Sequence, residues 1–165
     1  MNVEVTRVVE LTEEVVSALM AAAARAHPEE CCGLLLGESL DGRDRIDRAV
    51  PAGNVAAERM RHFEIDPAAL LAAHRAARGG GPQVLGYYHS HPTGQPVPSA
   101  VDREHSTGDL RIWAIIGDGR VAFWRDSGNG FSPITCDIAG GRRPDSAVSP
   151  ESQAPDTHPA SQSGM

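Results

Sequence analysis

The sequence predicts a mixed α/β domain over about residues 1–138 of the 165-residue chain. Two stretches carry start and stop signals of helices, and several short apolar or alternating runs between glycines and prolines are typical of strands. All seven aromatic residues lie between positions 63 and 131, so the densest part of the core is expected there. Strands that alternate irregularly with helices favour this fold class.

The first elements follow from local signals. Residues 3–11 are rich in valine and predict a strand. Thr12 is a suitable cap for a helix with acidic residues in its first turn, and this helix should run to about His27, before a proline. The glycine-bounded apolar run 33–37 predicts a buried strand, and the alternating segment 45–50 predicts a strand beside it.

The middle of the chain predicts one more helix between two strands. A short strand is expected over residues 62–65. Asp66 followed by Pro67 is a strong helix start, and this helix should reach about Arg78, where three glycines end it. Residues 84–91 then predict a strand whose apolar first half is typical of a central position in a sheet.

The last elements lie before residue 137. Ser99 is expected to open a short third helix. Strands are predicted over 110–116 and 121–125, and the sequence Gly117-Asp118-Gly119 between them indicates a hairpin. Residues 131–136 predict a final strand.

The segment 139–165 differs in composition from the rest of the chain. It contains no leucine, isoleucine or aromatic residue, and it holds four of the twelve prolines among serines and glycines. Such a segment buries too little apolar surface to offset the entropy lost on ordering. We therefore predict a disordered tail.

Composition limits the classes of partner. The net charge is −7 and every basic residue is arginine, so a nucleic-acid backbone would be repelled by most of the surface. No apolar run approaches the roughly 20 residues that span a bilayer, and the N-terminus lacks the pattern of a secretion signal. We expect a cytoplasmic protein with no nucleic-acid or membrane partner, and the sequence leaves its oligomeric state open.

The most informative motif is His89-Ser90-His91-Pro92. Two histidines two positions apart on a strand point to the same side, and Pro92 restricts His91 to extended backbone. With Asp102 nearby, they would give three nitrogen and oxygen ligands and an open position, as in catalytic zinc sites. By itself, a His-x-His pair is also compatible with ordinary polar residues at a strand end.

Two further groups fit hydrolysis at such a site. A hydroxyl near a metal can donate to a developing oxyanion, and Ser99 could do this as well as cap its helix. An attacking water must lose a proton and a leaving amine must gain one, which calls for a carboxylate. Glu29 and Glu30 both precede the buried strand, and either could be a surface acid.

Taken together, the segments Glu30–Gly37, His89–Pro92 and Ser99–Asp102 resemble the JAMM (MPN+, Mov34/MPN/PAD-1) family of zinc metalloproteases, in its small prokaryotic type. That family's pattern is a glutamate three residues before a glycine, then His-x-His, seven residues of which the first is the proline, and Ser-x-x-Asp. The resemblance implies that Glu30 is the acid/base residue and Ser99 stabilises the oxyanion. It also implies that His89, His91 and Asp102 hold one Zn²⁺ with a bound water.

The resemblance carries expectations about fold and function as well. It implies a mainly antiparallel, curved sheet flanked by helices, of the MPN/JAB, cytidine-deaminase-like kind. It also implies hydrolysis of an amide bond at the C-terminus of a ubiquitin-fold or sulfur-carrier protein. The segment Pro51–Arg61 is a candidate flap over the substrate or a plain connecting loop.

Two other classes of function remain open at this point. The chain could be a non-catalytic MPN module in which the metal only stiffens a protein-binding surface. A nucleic-acid role is the third class, against which the net charge of −7 counts.

Overall fold

One eight-stranded sheet organises residues 7–139, which is the part of the chain that the computed structural model describes. Its strands, in chain order, are β1 (Val8–Thr12), β2 (Cys32–Leu40), β3 (Arg43–Ala52), β4 (Gln83–Ser90), β5 (Ile112–Gly117), β6 (Arg120–Asp126), β7 (Phe131–Ile134) and β8 (Cys136–Ala139). The helices are α1 (Glu13–Ala26), α2 (Pro67–Arg78) and α3 (Ala100–His105).

The sheet is mixed, as predicted. Across it the strands follow the order β7-β6-β5-β4-β2-β3-β1-β8. Strands β4 and β5 run parallel, as do β1 and both of its neighbours, while the other four adjacent pairs in the described residues are antiparallel. The expectation of a mainly antiparallel sheet flanked by helices is confirmed.

Two observations show that the sheet curves until it nearly closes. β7 and β8 are its two edges, yet only Thr135 separates them along the chain. The Arg125 guanidinium on β6 also lies 3.4 Å from the Asp44 carboxylate on β3, although three strands separate β6 from β3 in the sheet order. In a flat sheet, one residue could not link the two edge strands, and Arg125 could not reach Asp44.

Helix α1 packs on the concave side of this sheet. Thr12 caps it as predicted, with its hydroxyl accepting from the amide of Val15 at 3.3 Å. Leu19 of α1 is fully buried, with Leu35 of β2 and Ile46 of β3 in the same core cluster. Burying one such side chain stabilises the fold by about 1.5–3 kcal/mol.

Helix α2 covers the opposite side of β2 and β4. Asp66 caps it, with its carboxylate accepting from the amide of Ala68 at 3.0 Å, and Pro67 occupies the first turn. Its Leu70 packs against a second core cluster that contains Leu34 and Val84. With α1 on one side and α2 on the other, β2 and β4 lie at the centre of the molecule, which fixes the position of the residues at their ends.

The predicted strand over residues 62–65 is wrong. Ile65 forms only an isolated bridge with Asn54. The side chain of Asn54 binds the carbonyl of His62 and the amide of Glu64, so these backbone groups pair with a side chain instead of a strand.

The final strand was predicted as one element over residues 131–136 and is in fact two. β7 pairs with β6, whereas β8 pairs with β1 at the other edge of the sheet. The change of edge follows from the near closure of the sheet, which is a property of the whole fold and not of the local sequence.

Other boundaries lie close to their predictions. The hairpin between β5 and β6 is confirmed, with Asp118 and Gly119 both at positive φ as a tight two-residue turn requires. β8 extends through Ala139, the first residue of the predicted tail, and residues 140–165 lie outside the described part. Residues 1–6 also lie outside it, and they include residues 3–6 of the predicted first strand. The disordered tail stays a prediction.

Candidate metal centre

Strand β4 brings His89 and His91 together. His89 is fully buried, and its Nε2 atom lies 3.1 Å from Nε2 of His91. The His91 amide donates to the carbonyl of Ile116 at 2.7 Å, so the backbone stays extended beyond the end of β4. Nδ1 of His91 lies 2.8 Å from the carbonyl oxygen of Gln95. Because a carbonyl only accepts, Nδ1 carries the proton and Nε2 keeps a lone pair for a metal.

The first turn of α3 supplies the third group. The Asp102 amide donates to the Ser99 hydroxyl at 3.1 Å, and the Ser99 amide donates to the Asp102 carboxylate at 2.9 Å. This reciprocal capping box fixes the Asp102 side chain. Its carboxylate oxygens lie 3.1 Å from Nε2 of His89 and 3.2 Å from Nε2 of His91. The predicted role of Ser99 as a helix cap is confirmed.

The three donor atoms are suited to a small tetrahedral ion. They lie 3.1–3.2 Å apart, close to the about 3.3 Å separation expected for ligands at about 2.0–2.1 Å from a zinc ion. In the described residues, His89, His91 and Asp102 are the group of side chains that could hold a metal. With three protein ligands and no fourth, the cluster leaves a position for water or substrate, as catalytic sites do.

The protonation states of His89 and Asp102 favour metal binding. Burial lowers the pKa of His89, which keeps its imidazole neutral. Burial alone would raise the pKa of Asp102, but its contacts with the His89 and His91 imidazoles hold it well below its ordinary value. A neutral imidazole and an ionised carboxylate are the forms that bind a metal. Burial alone would lower the pKa of His91, but the hydrogen bonds to Asp102 and to the carbonyl of Gln95 raise it, so a metal must displace a proton there.

Glu30 lies beside this cluster because of the β2–β4 pairing. Cys32 pairs with His89 in antiparallel register, and the amide of Ser90 donates to the carbonyl of Cys31 at 3.1 Å. The same register places Glu30 next to His91. The local sequence left Glu29 and Glu30 open, and the family resemblance implied Glu30. Their burial differs in the same sense: Glu30 is 6% exposed, whereas the Glu29 side chain is 46% exposed.

The environment of Glu30 changes its acidity. Burial raises the pKa of its carboxyl to about 7, while the charge of His91 lowers it and that of Asp102 raises it. Its Oε2 atom is buried without a hydrogen-bond partner among the described residues. A carboxyl group that titrates near neutrality and has a free oxygen is suited to accept and return a proton.

Sequence reasoning missed three residues that support the site. Ser90, between the two histidines, accepts a hydrogen bond from the amide of Cys31 at 2.8 Å and so fixes the start of β2. The Phe63 ring stacks on the His89 ring at 4.2 Å, with an interplanar angle of 17°. The Trp113 ring meets His89 edge-on at 5.8 Å. Two signals were present in the sequence: Ser90 lies within the histidine motif, and Phe63 begins the stretch 63–67 that the family resemblance includes.

The candidate flap Pro51–Arg61 is attached to the site by its backbone. The carbonyl of Arg59 accepts a hydrogen bond from the amide of Glu30 at 2.7 Å, and the amide of Val55 donates to the carbonyl of Glu64 at 2.9 Å. These contacts place the segment next to Glu30, and its motion over a substrate stays a prediction.

Comparison with known proteins defines the class of this fold and site. The crystal structure of a JAB1/MPN domain protein from Archaeoglobus fulgidus matches with a TM-score of 0.52 and 19% identity, over 79% of this chain and 96% of that one. At this identity the likeness shows the fold alone, which is that of a JAB1/MPN domain protein. None of the helices between residues 7 and 139 combines the length and the apolar character that crossing a bilayer would need.

The family follows from sequence matches. The model of prokaryotic homologs of the JAB domain matches residues 12–127. A desampylase from Haloferax volcanii is 36% identical over 124 residues, which are 74% of this chain and 88% of that protein. A CysO-cysteine peptidase from Mycobacterium tuberculosis is 36% identical over 95 residues, which are 57% of this chain and 62% of that protein. The chain belongs to the prokaryotic JAB family and is a JAMM-type hydrolase.

Proposed function

We propose that this protein hydrolyses an amide bond at the C-terminus of a ubiquitin-fold or sulfur-carrier protein, with Zn²⁺ held by His89, His91 and Asp102. One observation carries the proposal: Glu30 has a buried carboxyl group with a free oxygen, and it is close enough to the converging metal-ligand side chains for the charges of His91 and Asp102 to act on it. A metal-binding cluster alone, or a buried carboxyl group alone, would be compatible with other functions. The two together are suited to metal-dependent hydrolysis.

The metal would be held by two neutral imidazoles and one carboxylate. When bound, zinc lowers the pKa of a coordinated water towards about 7 and polarises a carbonyl group. Zinc is preferred here because two nitrogen ligands and one oxygen ligand in a small, three-sided cluster are its usual catalytic donor set.

The side chains of the protein account for the proton movements. Glu30 takes a proton from the attacking water at its free Oε2 atom and returns it to the departing amine. Its raised pKa, about 7, makes both steps favourable near neutral pH. The Ser99 hydroxyl, which accepts the Asp102 amide as a helix cap, still has its own proton to donate to the developing oxyanion.

The substrate class rests on the family and on relatives. The resemblance implies a ubiquitin-fold or sulfur-carrier substrate, and one relative is by name a peptidase for CysO-cysteine. This chain has only residues 106–111 between α3 and β5, with no longer insertion there to grip a second folded protein. A cytoplasmic location remains part of the proposal.

The proposal is tested with purified, zinc-loaded protein. It is incubated with ubiquitin-fold carriers that bear C-terminal extensions, and the masses of the products are followed with and without a chelator. Cleavage at the end of the carrier, lost with chelator and restored by zinc, is expected. Tight, zinc-dependent carrier binding without turnover would instead support a non-catalytic binding module. Salt-sensitive DNA binding would support a nucleic-acid role, which the net charge of −7 opposes.

A further inference from the structure

Helix α3 and its cap carry Asp102 and Ser99, two groups of the proposed site, yet the hydrophobic core does not hold this helix. Asp102 alone among its six described residues is buried. Neither core cluster in the described part of the chain contains a residue of α3. So short a helix is unstable by itself in water, because its first turn fixes several dihedral angles for each hydrogen bond gained. Other contacts must therefore keep Asp102 in place.

Strand β6 binds the chain just before α3. The indole Nε1 atom of Trp124 donates a hydrogen bond to the carbonyl of Pro96 at 3.1 Å. Pro96 is fully buried and lies three residues before Ser99, the cap of the helix. This contact fixes the point at which the chain enters α3.

The same strand binds the chain just after α3. Asp126 is fully buried, and its carboxylate accepts hydrogen bonds from the Ser106 hydroxyl and from the amides of Thr107 at 3.1 Å and Gly108 at 3.2 Å. Ser106 is the residue at which the helix ends. Hydrogen bonds to a carboxylate are about twice as strong as those between neutral groups. Asp126 therefore holds the exit of the helix firmly.

Both attachments lie on the side of the sheet that carries the metal-ligand candidates. Trp124 and Asp126 are two positions apart on β6, so their side chains point to the same side. Trp124 pairs with Trp113 on β5, and the Trp113 ring meets His89 edge-on at 5.8 Å. One strand thus holds both ends of the segment 96–108 against the side of the sheet where His89 lies.

We propose that Trp124 and Asp126 are positioning residues for the metal centre. By holding both ends of the segment 96–108, they set the position of the Asp102 carboxylate against the two histidines and that of the Ser99 hydroxyl. Neither residue is among the ligand candidates, and each acts through α3. The inference deepens the proposed function and rests on it, since it concerns the site assigned there.

The test weakens each attachment while the buried Asp126 stays in place. Trp124→Phe keeps an aromatic ring but removes the N–H group that binds Pro96, and Ser106→Ala removes one donor to Asp126. Ser106→Thr keeps the hydroxyl. Thr12→Ala is the control, because it removes the capping hydrogen bond of α1 at the end of β1, three strands from β4 in the sheet order.

Zinc affinity reports the position of the ligands independently of turnover. Loss of groups that orient a ligand typically weakens metal binding about 10–100-fold, so the double variant Trp124→Phe/Ser106→Ala should raise the Kd for zinc by that factor, and each single change by less. Ser106→Thr should bind zinc like the wild type. Thr12→Ala should do so too, although losing a cap makes it less stable. Wild-type affinity in the double variant would overturn the inference, as would an equal loss in Thr12→Ala.

Hydrogen exchange of the zinc-free proteins tests the attachment itself. The amides of Asp102 and Arg103 donate to the hydroxyl and the carbonyl of Ser99, so their exchange reports the opening of α3. Relative to the amide of Leu35 in the core, both should exchange at least about tenfold faster in the double variant, because two hydrogen bonds are lost. The ratio should not change in Thr12→Ala. An unchanged ratio in the double variant would refute the assignment.

The two measurements separate this inference from the proposed function. If the wild type binds no zinc, the proposed function fails, and the exchange of the α3 amides still decides whether β6 holds the helix. If zinc affinity and exchange change as expected but no carrier is cleaved, the positioning role is supported and the proposed substrate is wrong.

Discussion

The side-chain amide of Asn54 donates a hydrogen bond to the main-chain carbonyl of Glu30 at 3.0 Å and so ties the start of β2 to the loop after β3. The same amide donates to the carbonyl of His62 at 3.0 Å, and its oxygen accepts from the amides of Ala56 and Glu64, each at 3.1 Å. All four hydrogen-bonding positions of the side chain are used. Because Phe63, between two of these partners, stacks on His89, Asn54 connects the candidate base to a candidate metal ligand.

Replacing Asn54 by aspartate should disturb both connections. The new carboxylate oxygen would face the carbonyls of Glu30 and His62, and the two lost hydrogen bonds should lower the free energy of unfolding by about 1–3 kcal/mol. We expect a lower kcat with the zinc content retained, measured by steady-state kinetics and metal analysis. Gln83→Glu, an amide-to-acid change at an exposed position, is the control. Wild-type stability and kcat in Asn54→Asp would contradict the role.

Glu30→Gln should separate metal binding from turnover. The amide has nearly the size of the carboxyl group but accepts no proton at neutral pH, so kcat should fall by about 10²–10⁴. Zinc content by mass spectrometry should stay at the wild-type level, since Glu30 is not among the three ligand candidates. Glu38→Gln, at an exposed position of β2, controls for the charge change. A fully active, zinc-loaded Glu30→Gln enzyme would remove Glu30 from the mechanism.

Asp102→Ala should lower metal affinity. It removes one of three ligand atoms, so the loss should exceed the roughly 10–100-fold effect that is typical of changing a group that only supports a ligand. Competition with a chromogenic chelator measures the affinity. Asp47→Ala, at an exposed position on β3, should bind zinc like the wild type. Unchanged zinc affinity in Asp102→Ala would argue against its role as a ligand.

Ser99→Ala tests the oxyanion role against the capping role. Loss of the cap should lower the free energy of unfolding by about 0.5–2 kcal/mol, and loss of an oxyanion donor should lower kcat by about 10²–10³. Ser99→Thr keeps a hydroxyl that can cap and donate, and it should retain most of both properties. If Ser99→Ala is less stable but keeps the wild-type kcat, Ser99 is a structural cap alone.

The rate should depend on pH through Glu30. A general base acts only when ionised, so kcat/KM should fall about tenfold per pH unit below the pKa of Glu30 and level off above it. Burial raises this pKa to about 7 in the metal-free protein, and the positive charge of a bound ion favours the carboxylate, so the midpoint should lie at or below pH 7. The residual rate of Glu30→Gln should lack this acid limb. A rate that increases as the pH falls from 7 to 5 would contradict the assignment.

Local signals predicted much of the fold. The caps at Thr12, Asp66 and Ser99, and the hairpin turn at Asp118, all lie where the sequence indicates them. Each depends on groups within about four residues of one another, so the chain near each position contains the needed information.

The two wrong strand predictions have a cause that is not local. The segment 62–65 has strand-like residues, but the Asn54 side chain takes the hydrogen bonds of the His62 carbonyl and the Glu64 amide. Residues 131–136 look continuous, yet the chain passes from one edge of the sheet to the other at Thr135. In both cases a partner that is distant in sequence or in the sheet order decides the outcome.

The candidate site also has one part that the local sequence determines and one part that depends on the tertiary structure. The sequence by itself determined that His89 and His91 share one side of a strand and that Ser99 and Asp102 share one turn of a helix, because backbone geometry sets both spacings. Only the tertiary structure decided that Glu30 is buried beside them and that Glu29 is exposed. The register of β2 on β4 and the packing of α1 on the curved sheet bring these groups together. Such long-range pairing depends on the free energy of the whole core, which no local pattern encodes.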